Sequence, residues 1–223
     1  MVVLYLPIKL MHISKRLSSI ITALFLSISV VSNAQENELK SVSFGDRDTE
    51  YSFSSQGKKL IIYAKGQKSA SGLFVPNPEI CLQNNQLSWS WRVDQIQPTA
   101  NIEVEEKEDF AASVLIIFGK PSLLSKPKGL IYGFTNTDLA PGSVVESPRA
   151  PDNFRTIVLA NKQSPLKNWL AYKRNIIKDY QLAYGERPDK DLHTIGVFTD
   201  NDQTQEPVKA AYELKSCNLP QQT

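Results

Sequence analysis

Histidine is scarce in this chain. There are two in 223 residues, and only His193 lies beyond residue 34. A Ser-His-Asp or Cys-His device would have to be built on that residue, which sits in an apolar, strand-like run with no Gly-x-Ser-x-Gly and no neighbouring cysteine. It is read as a structural histidine. Zinc sites usually draw on more than one histidine or cysteine, so this content does not suggest one. A glycine-rich phosphate loop is absent too. Charge of one sign is lacking as well. Residues 1–34 hold three of the 25 basic residues (Lys9, Lys15, Arg16) and none of the 23 acidic ones, leaving 22 against 23. That balance gives no electrostatic reason to bind nucleic acid or an anionic membrane.

The one long apolar run is at the start. Met11–Arg16 is short and basic, Leu17–Val31 is apolar and uncharged, and Ser32-Asn-Ala34 puts small residues where a signal peptidase reads. This is the order of a secretory leader, with the first ten residues as an upstream start or an extension of it. The run is shorter than the ~20 residues of a membrane span, and no cysteine follows it to carry a lipid. Residues 1–34 are therefore expected to be removed, and residues 35–223 to form one exported domain, periplasmic or secreted, with no membrane span. Export puts Cys81 and Cys217 where a disulfide can persist. A bonded pair and two buried thiols both fit the sequence, and a bond is expected if the Cα atoms come within ~7 Å.

The centre of that domain is Leu87-Ser-Trp-Ser-Trp-Arg-Val-Asp94, an acidic loop, and then Asp109–Phe118. Strict alternation puts Leu87, Trp89, Trp91 and Val93 on one face and Ser88, Ser90, Arg92 and Asp94 on the other. Phe110–Phe118 is apolar on both faces, as in a core strand. The two stretches are expected to pair. Further strand-like runs are separated by turn residues, and Asp138–Asp152 reads as a long surface loop. One helix stands out, with Asn175 as N-cap, Ile176, Tyr180 and Tyr184 on one face, and Gly185 as its stop. The expected fold is all-β: a two-sheet β-sandwich of jelly-roll type with one short helix.

Several stretches together resemble the exported bacterial domain-of-unknown-function 3047 family. They are Leu87–Val93, Asp109-Phe-Ala-Ala112, Asp179-Tyr180 with Tyr184-Gly185, and Ile195–Thr204 followed by Ala211-Tyr212. Where the family pattern carries an acid and an Arg-Asp pair, Trp169–Asn175 keeps Arg174 and lacks both acids. The resemblance implies a jelly-roll sandwich similar to galactose-binding and carbohydrate-binding modules.

Two candidate sites follow. Ser88, Ser90, Arg92 and Asp94, with Asp109 near them if the strands pair, would make either a buried Arg-Asp network or a polar face for sugar hydroxyls, with Tyr132 or Tyr212 to stack on a ring. Trp89 and Trp91 belong to the core. In the loop Asp200-Asn-Asp-Gln-Thr204, the oxygens of Asp200, Asp202, Thr204 and Glu206 alternate and would suit calcium. Gln205 and Ala211 stand where an EF-hand needs glycine and glutamate, and an Asx-rich turn is the simpler account. The Asp200 loop is expected to approach Asp109, with Arg92 relieving their repulsion. The acidic run Glu103–Asp109 reads as a solvated loop. Function is read first as a non-enzymatic binding module for carbohydrate or another cell-envelope molecule, with no cofactor beyond that calcium. The alternatives are a carboxylate-dependent hydrolase of envelope polysaccharide and a structural or assembly partner of envelope proteins.

Overall fold

The computed structural model describes residues 39–56, 59–122, 126–217 and 219, so the expected leader and its expected cleavage site lie outside the described residues. In chain order the strands are β1 (Lys40–Ser43), β2 (Glu50–Gln56), β3 (Lys59–Gly66), β4 (Ala70–Val75), β5 (Gln86–Gln95), β6 (Ala112–Phe118), β7 (Lys128–Phe134), β8 (Val144–Glu146), β9 (Phe154–Ala160), β10 (Leu170–Asn175), β11 (Leu192–Asp200) and β12 (Val208–Glu213). They form a seven-stranded sheet, β1-β4-β11-β6-β7-β9-β8, facing a five-stranded sheet, β10-β5-β12-β3-β2. The expected two-sheet sandwich with one short helix is what the chain forms. Among the described residues no helix is long and apolar enough to cross a membrane.

Alternation explains which faces meet. Leu87, Trp89, Trp91 and Val93 are fully buried, against Tyr132, Ile116 and Tyr212. Trp89 lies 5.1 Å from Tyr132 and 5.5 Å from Tyr172, ring centre to ring centre. Tilted aromatic contacts of this kind add to what burial alone contributes.

One expectation of pairing is corrected. β5 and β6 lie in opposite sheets: β5 pairs with β10 and β12, while β6 pairs with β11 and β7. The connection from Ile96 to Ala111 is far longer than a hairpin turn and carries the chain across the sandwich. The Asp138–Asp152 segment is not all loop, because its three residues Val144–Glu146 make an edge strand on β9. β7 and β9 run parallel, with β8 in the crossover between them.

The helix, α1 (Ile176–Tyr184), follows its sequence signals. The Asn175 side chain accepts from Lys178 N, and Gly185 closes the helix in the left-handed conformation at φ 75°. Asp179 on its buried face accepts from Arg174 Nε and Nη2 and from the Tyr132 hydroxyl, which fastens the helix to β10 and β7. A disulfide joins Cys81 to Cys217, with Cα atoms 3.9 Å apart, tying the turn before β5 to the segment after β12.

Candidate functional site

The polar side of β5 looks outward from the five-stranded sheet. Arg92 grips Asp94 through Nε (2.8 Å) and Nη2 (2.9 Å) and stacks over Trp169 at 5.4 Å. Both members of the pair are about a third exposed, so this is a surface ion pair worth little and not a buried network. Ser90 is buried, and the backbone of Ser88 is bonded by Ser216. Asp109 lies elsewhere, in the segment that leads into β6 of the other sheet, where it binds Gln203 and Thr204, while Arg92 binds Asp94. Tyr132 and Tyr212 cannot serve as platforms. Both are fully buried, and their hydroxyls are committed to Asp179 and to Thr199, Phe198 O and Ser113 N.

The concave feature with chemistry is on the outer face of the seven-stranded sheet. Leu115 and Ile131 face each other across the β6–β7 pair and, with Ile117, floor a trough of about 310 Å³. Phe44, Phe154 and Phe198 rise around it. Two glycines let the aromatic flanks lie flat on the sheet. A Cβ on Gly196 would fall 2.3 Å from the Phe74 ring, and one on Gly129 would fall 2.6 Å from the Phe154 ring. The sheet is thus covered on both sides and left open, with half-buried aliphatic side chains, in between. Pockets of this size, apolar with a few polar groups, are the usual form of a small-molecule site.

The polar groups gather at one end. Period-two alternation through β11 puts Asp200 on the same outer face as Phe198, at the head of the trough. Asp200 accepts from Phe110 N at 2.7 Å, and Gln97 Nε2 holds its carbonyl. Asp109 accepts from Gln203 N (3.2 Å), Thr204 N (2.7 Å) and Thr204 Oγ1 (2.5 Å). Carboxylate oxygens of Asp109, Asp200 and Asp202 all lie within 4.8 Å of one another. Burial, then the charges of Asp109 and Asp202, push the Asp200 carboxyl well above the usual carboxylate range. Glu108 also lines the trough, and burial lifts it to about 7 against the pull of the Ser147 hydroxyl and Arg149. Its Oε2 has no hydrogen-bond partner and faces Arg149 Nε at 3.5 Å.

The approach of the Asp200 loop to Asp109 is therefore present, and Arg92 is not there to relieve it. The Thr204 hydroxyl is spent as a donor to Asp109. Glu206 turns outward, where its Oε2 accepts from Thr99 N. The Glu103–Asp109 run is solvated only in part, since Glu108 and Asp109 are buried. Sequence reasoning missed Glu108, Gln97 and Arg149. The available signal for Glu108 was its position beside the core-like Phe110–Phe118 run, where a short turn, Glu105–Lys107, brings the chain back inside.

A second, more open cleft of about 740 Å³ lies between the Ile96–Lys107 and Asn136–Leu139 segments. Several of its polar groups are already engaged: Asp138 binds Lys162 and Gln163, and Asn136 donates to Pro98 O. His193 is partly exposed on β11, its pKa lowered by burial and by the charge of Lys120.

The family described as "Protein of unknown function (DUF3047)" matches over residues 37–214. None of the curated proteins compared with the chain matches it. Solved structures similar to it include endoglucanase 3 of Trichoderma harzianum, from family GH12. It is 10% identical, with a TM-score of 0.41, and 80% of this chain and 88% of that one are covered. Another is the xyloglucanase domain of NopAA, a type three effector from Sinorhizobium fredii, in complex with cellobiose. It is 12% identical with a TM-score of 0.40, covering 81% and 93%. Likeness at this level says nothing about what the chain binds.

Proposed function

We propose that this chain, which belongs to the DUF3047 family of proteins of unknown function, is an exported binding module for an amphiphilic cell-envelope molecule. The ligand's apolar body lies on Leu115, Ile117 and Ile131, and its hydroxyl- or amine-bearing head meets the carboxylates at the end of the trough. One observation carries this reading: an aliphatic trough, walled by phenylalanines, that ends in buried acids. A purely polar sugar would leave the aliphatic floor wet, and a plain hydrocarbon would leave the acids unanswered. The leader pattern and the Cys81–Cys217 bond support export, because disulfides persist in oxidising compartments.

The test uses protein expressed with its leader and recovered from the periplasm or medium, with a start near Gln35. An alkyl maltoside below its micelle concentration, free maltose and a fatty acid are titrated calorimetrically. The alkyl glycoside is expected to bind at least about tenfold more tightly than either part, each tenfold being ~1.4 kcal/mol. Leu115→Arg, on the half-buried floor, should abolish binding with the fold intact. Equal binding of maltose alone, undisturbed by Leu115→Arg, would remove the trough from the account.

A second reading, a carboxylate-dependent hydrolase of envelope polysaccharide, is favoured by one feature: Glu108, Asp200 and Asp202 line the same cleft. Glycosidases set two carboxyl groups ~5–9 Å apart across the bond they cut. Release of reducing ends from a polysaccharide, lost in Glu108→Gln, would establish it over simple binding.

A further inference from the structure

The acids at the head of the trough crowd negative charge into a buried place. Three carboxylates converge within 4.8 Å, two of them on buried residues, and Glu108 adds a fourth acid beside them. Arg149 is engaged by Glu108, and Arg92 by Asp94. The hydrogen-bond donors that reach Asp109 and Asp200 are neutral amides and a hydroxyl, from Phe110, Gln203 and Thr204. Two more oxygens there are buried without a hydrogen-bond partner. Gln97 Oε1 belongs to a fully buried side chain whose Nε2 holds the Asp200 carbonyl. Glu108 Oε2 belongs to a side chain 5% exposed that faces the same cleft as Asp200 and Asp202. The chamber is rich in oxygen acceptors, and buried acceptors without donors are costly.

We infer that the head of the trough is a divalent-cation site for calcium, with Asp109, Asp200 and Asp202 as its side-chain ligands and the unpartnered Gln97 Oε1, on the side chain that holds the Asp200 carbonyl, as a further oxygen beside it. Ligand type and flexibility favour calcium, which accepts carboxylate and carbonyl oxygens in irregular arrangements, whereas magnesium demands near-ideal octahedral geometry and keeps more of its water. All-oxygen ligation excludes the softer metals that prefer sulfur or imidazole. The site shares Asp200 and Asp202 with the loop set expected from sequence. It takes Asp109 from the other side of the cleft in place of Thr204 and Glu206. It does not depend on what fills the trough.

The alternative relief is protonation of Asp200, and one experiment separates the two. The exported protein is stripped with chelator, then titrated with calcium and with magnesium by calorimetry and melted in each buffer. One calcium per chain is expected, with magnesium at least about tenfold weaker. The melting temperature should rise by roughly 5 °C at a calcium concentration well above Kd. Asp202→Asn should lose the response, while Asp138→Asn, an exposed acid on another loop, should keep it. Three results would each overturn the inference: no heat and no shift in stripped wild type; a response that survives both Asp200→Asn and Asp202→Asn; or a calcium-indifferent wild type that Asp200→Asn stabilises. The last would put a proton where the cation is inferred.

Discussion

Arg174→Met tests how the helix is fastened to the sandwich. Arg174 faces inward from β10, opposite Leu87, and reaches Asp179 on α1 with Nε at 2.8 Å and Nη2 at 2.5 Å. The Tyr132 hydroxyl donates to the same carboxylate at 2.7 Å. Asp179 is 9% exposed and Arg174 31%. Removing one member of a buried ion pair costs about 3–5 kcal/mol, because the other charge stays buried. Here the guanidinium is a third exposed and Tyr132 still serves Asp179, so about 2–3 kcal/mol is expected. At ~2–4 °C per kcal/mol for a chain of this size, melting should fall by about 5–10 °C. Tyr132→Phe should cost roughly 1.5 kcal/mol, the net worth of a hydrogen bond to a charge. The decisive measurement is a double-mutant cycle read by thermal melting. If the loss runs through Asp179, Arg174→Met should cost little in an Asp179→Leu background. A melting point within a degree of wild type for Arg174→Met alone, or an equal loss in both backgrounds, would refute the reasoning.

Two further outcomes follow from the geometry. Cys81–Cys217 closes a loop of 136 residues, for which the chain-entropy model gives about 5 kcal/mol. Reductant should therefore lower the melting temperature by about 10 °C or more, and two titratable thiols in protein purified without reductant would contradict the bond. For Glu108, burial lifts the carboxyl from 4.5 to about 7, so between those values the folded protein holds a proton that the unfolded chain releases. This group's contribution is fully present below pH ~4.5 and declines as the pH rises towards 7, by roughly 3 kcal/mol in all. In calcium-free buffer Glu108→Gln should flatten that decline, and an unchanged slope in the variant would exclude Glu108 as its source.

What the sequence reveals here is faces, and what it hides is partners. Alternation from Leu87 to Asp94 fixes which side chains are buried, and Trp89 and Trp91 are buried accordingly. The same alternation is silent on which strand lies alongside, so β5 and β6 look like a pair and instead face each other across the core. Arg92 then has no route to Asp109. β10 is invisible for a related reason: Leu170–Asn175 is half exposed and mixed in character, and becomes a strand by pairing with β5. The trough is harder still to foresee. It depends on Phe74 lying over Gly196 and Phe154 over Gly129, contacts between residues remote in sequence.

The acidic run shows where local and global demands part. Composition makes Glu103–Asp109 a solvated loop, and through Lys107 it is one. Its last two residues are buried because the short turn Glu105–Lys107 brings the chain back to the sandwich just before Phe110 and Ala111 enter the core. Asp200 is drawn in from the other side by strand alternation, as the residue two beyond Phe198. A buried carboxyl costs free energy unless donors or a charge answer it, and here they do so unevenly. Asp109 accepts from Gln203 N and from the amide and hydroxyl of Thr204, and so fastens the loop after β11 to the segment entering β6. The Asp200 carboxylate accepts from Phe110 N, and Glu108 leans on Arg149. The acidic run is thus buried where its hydrogen bonds join two segments remote in sequence, which composition alone could not reveal.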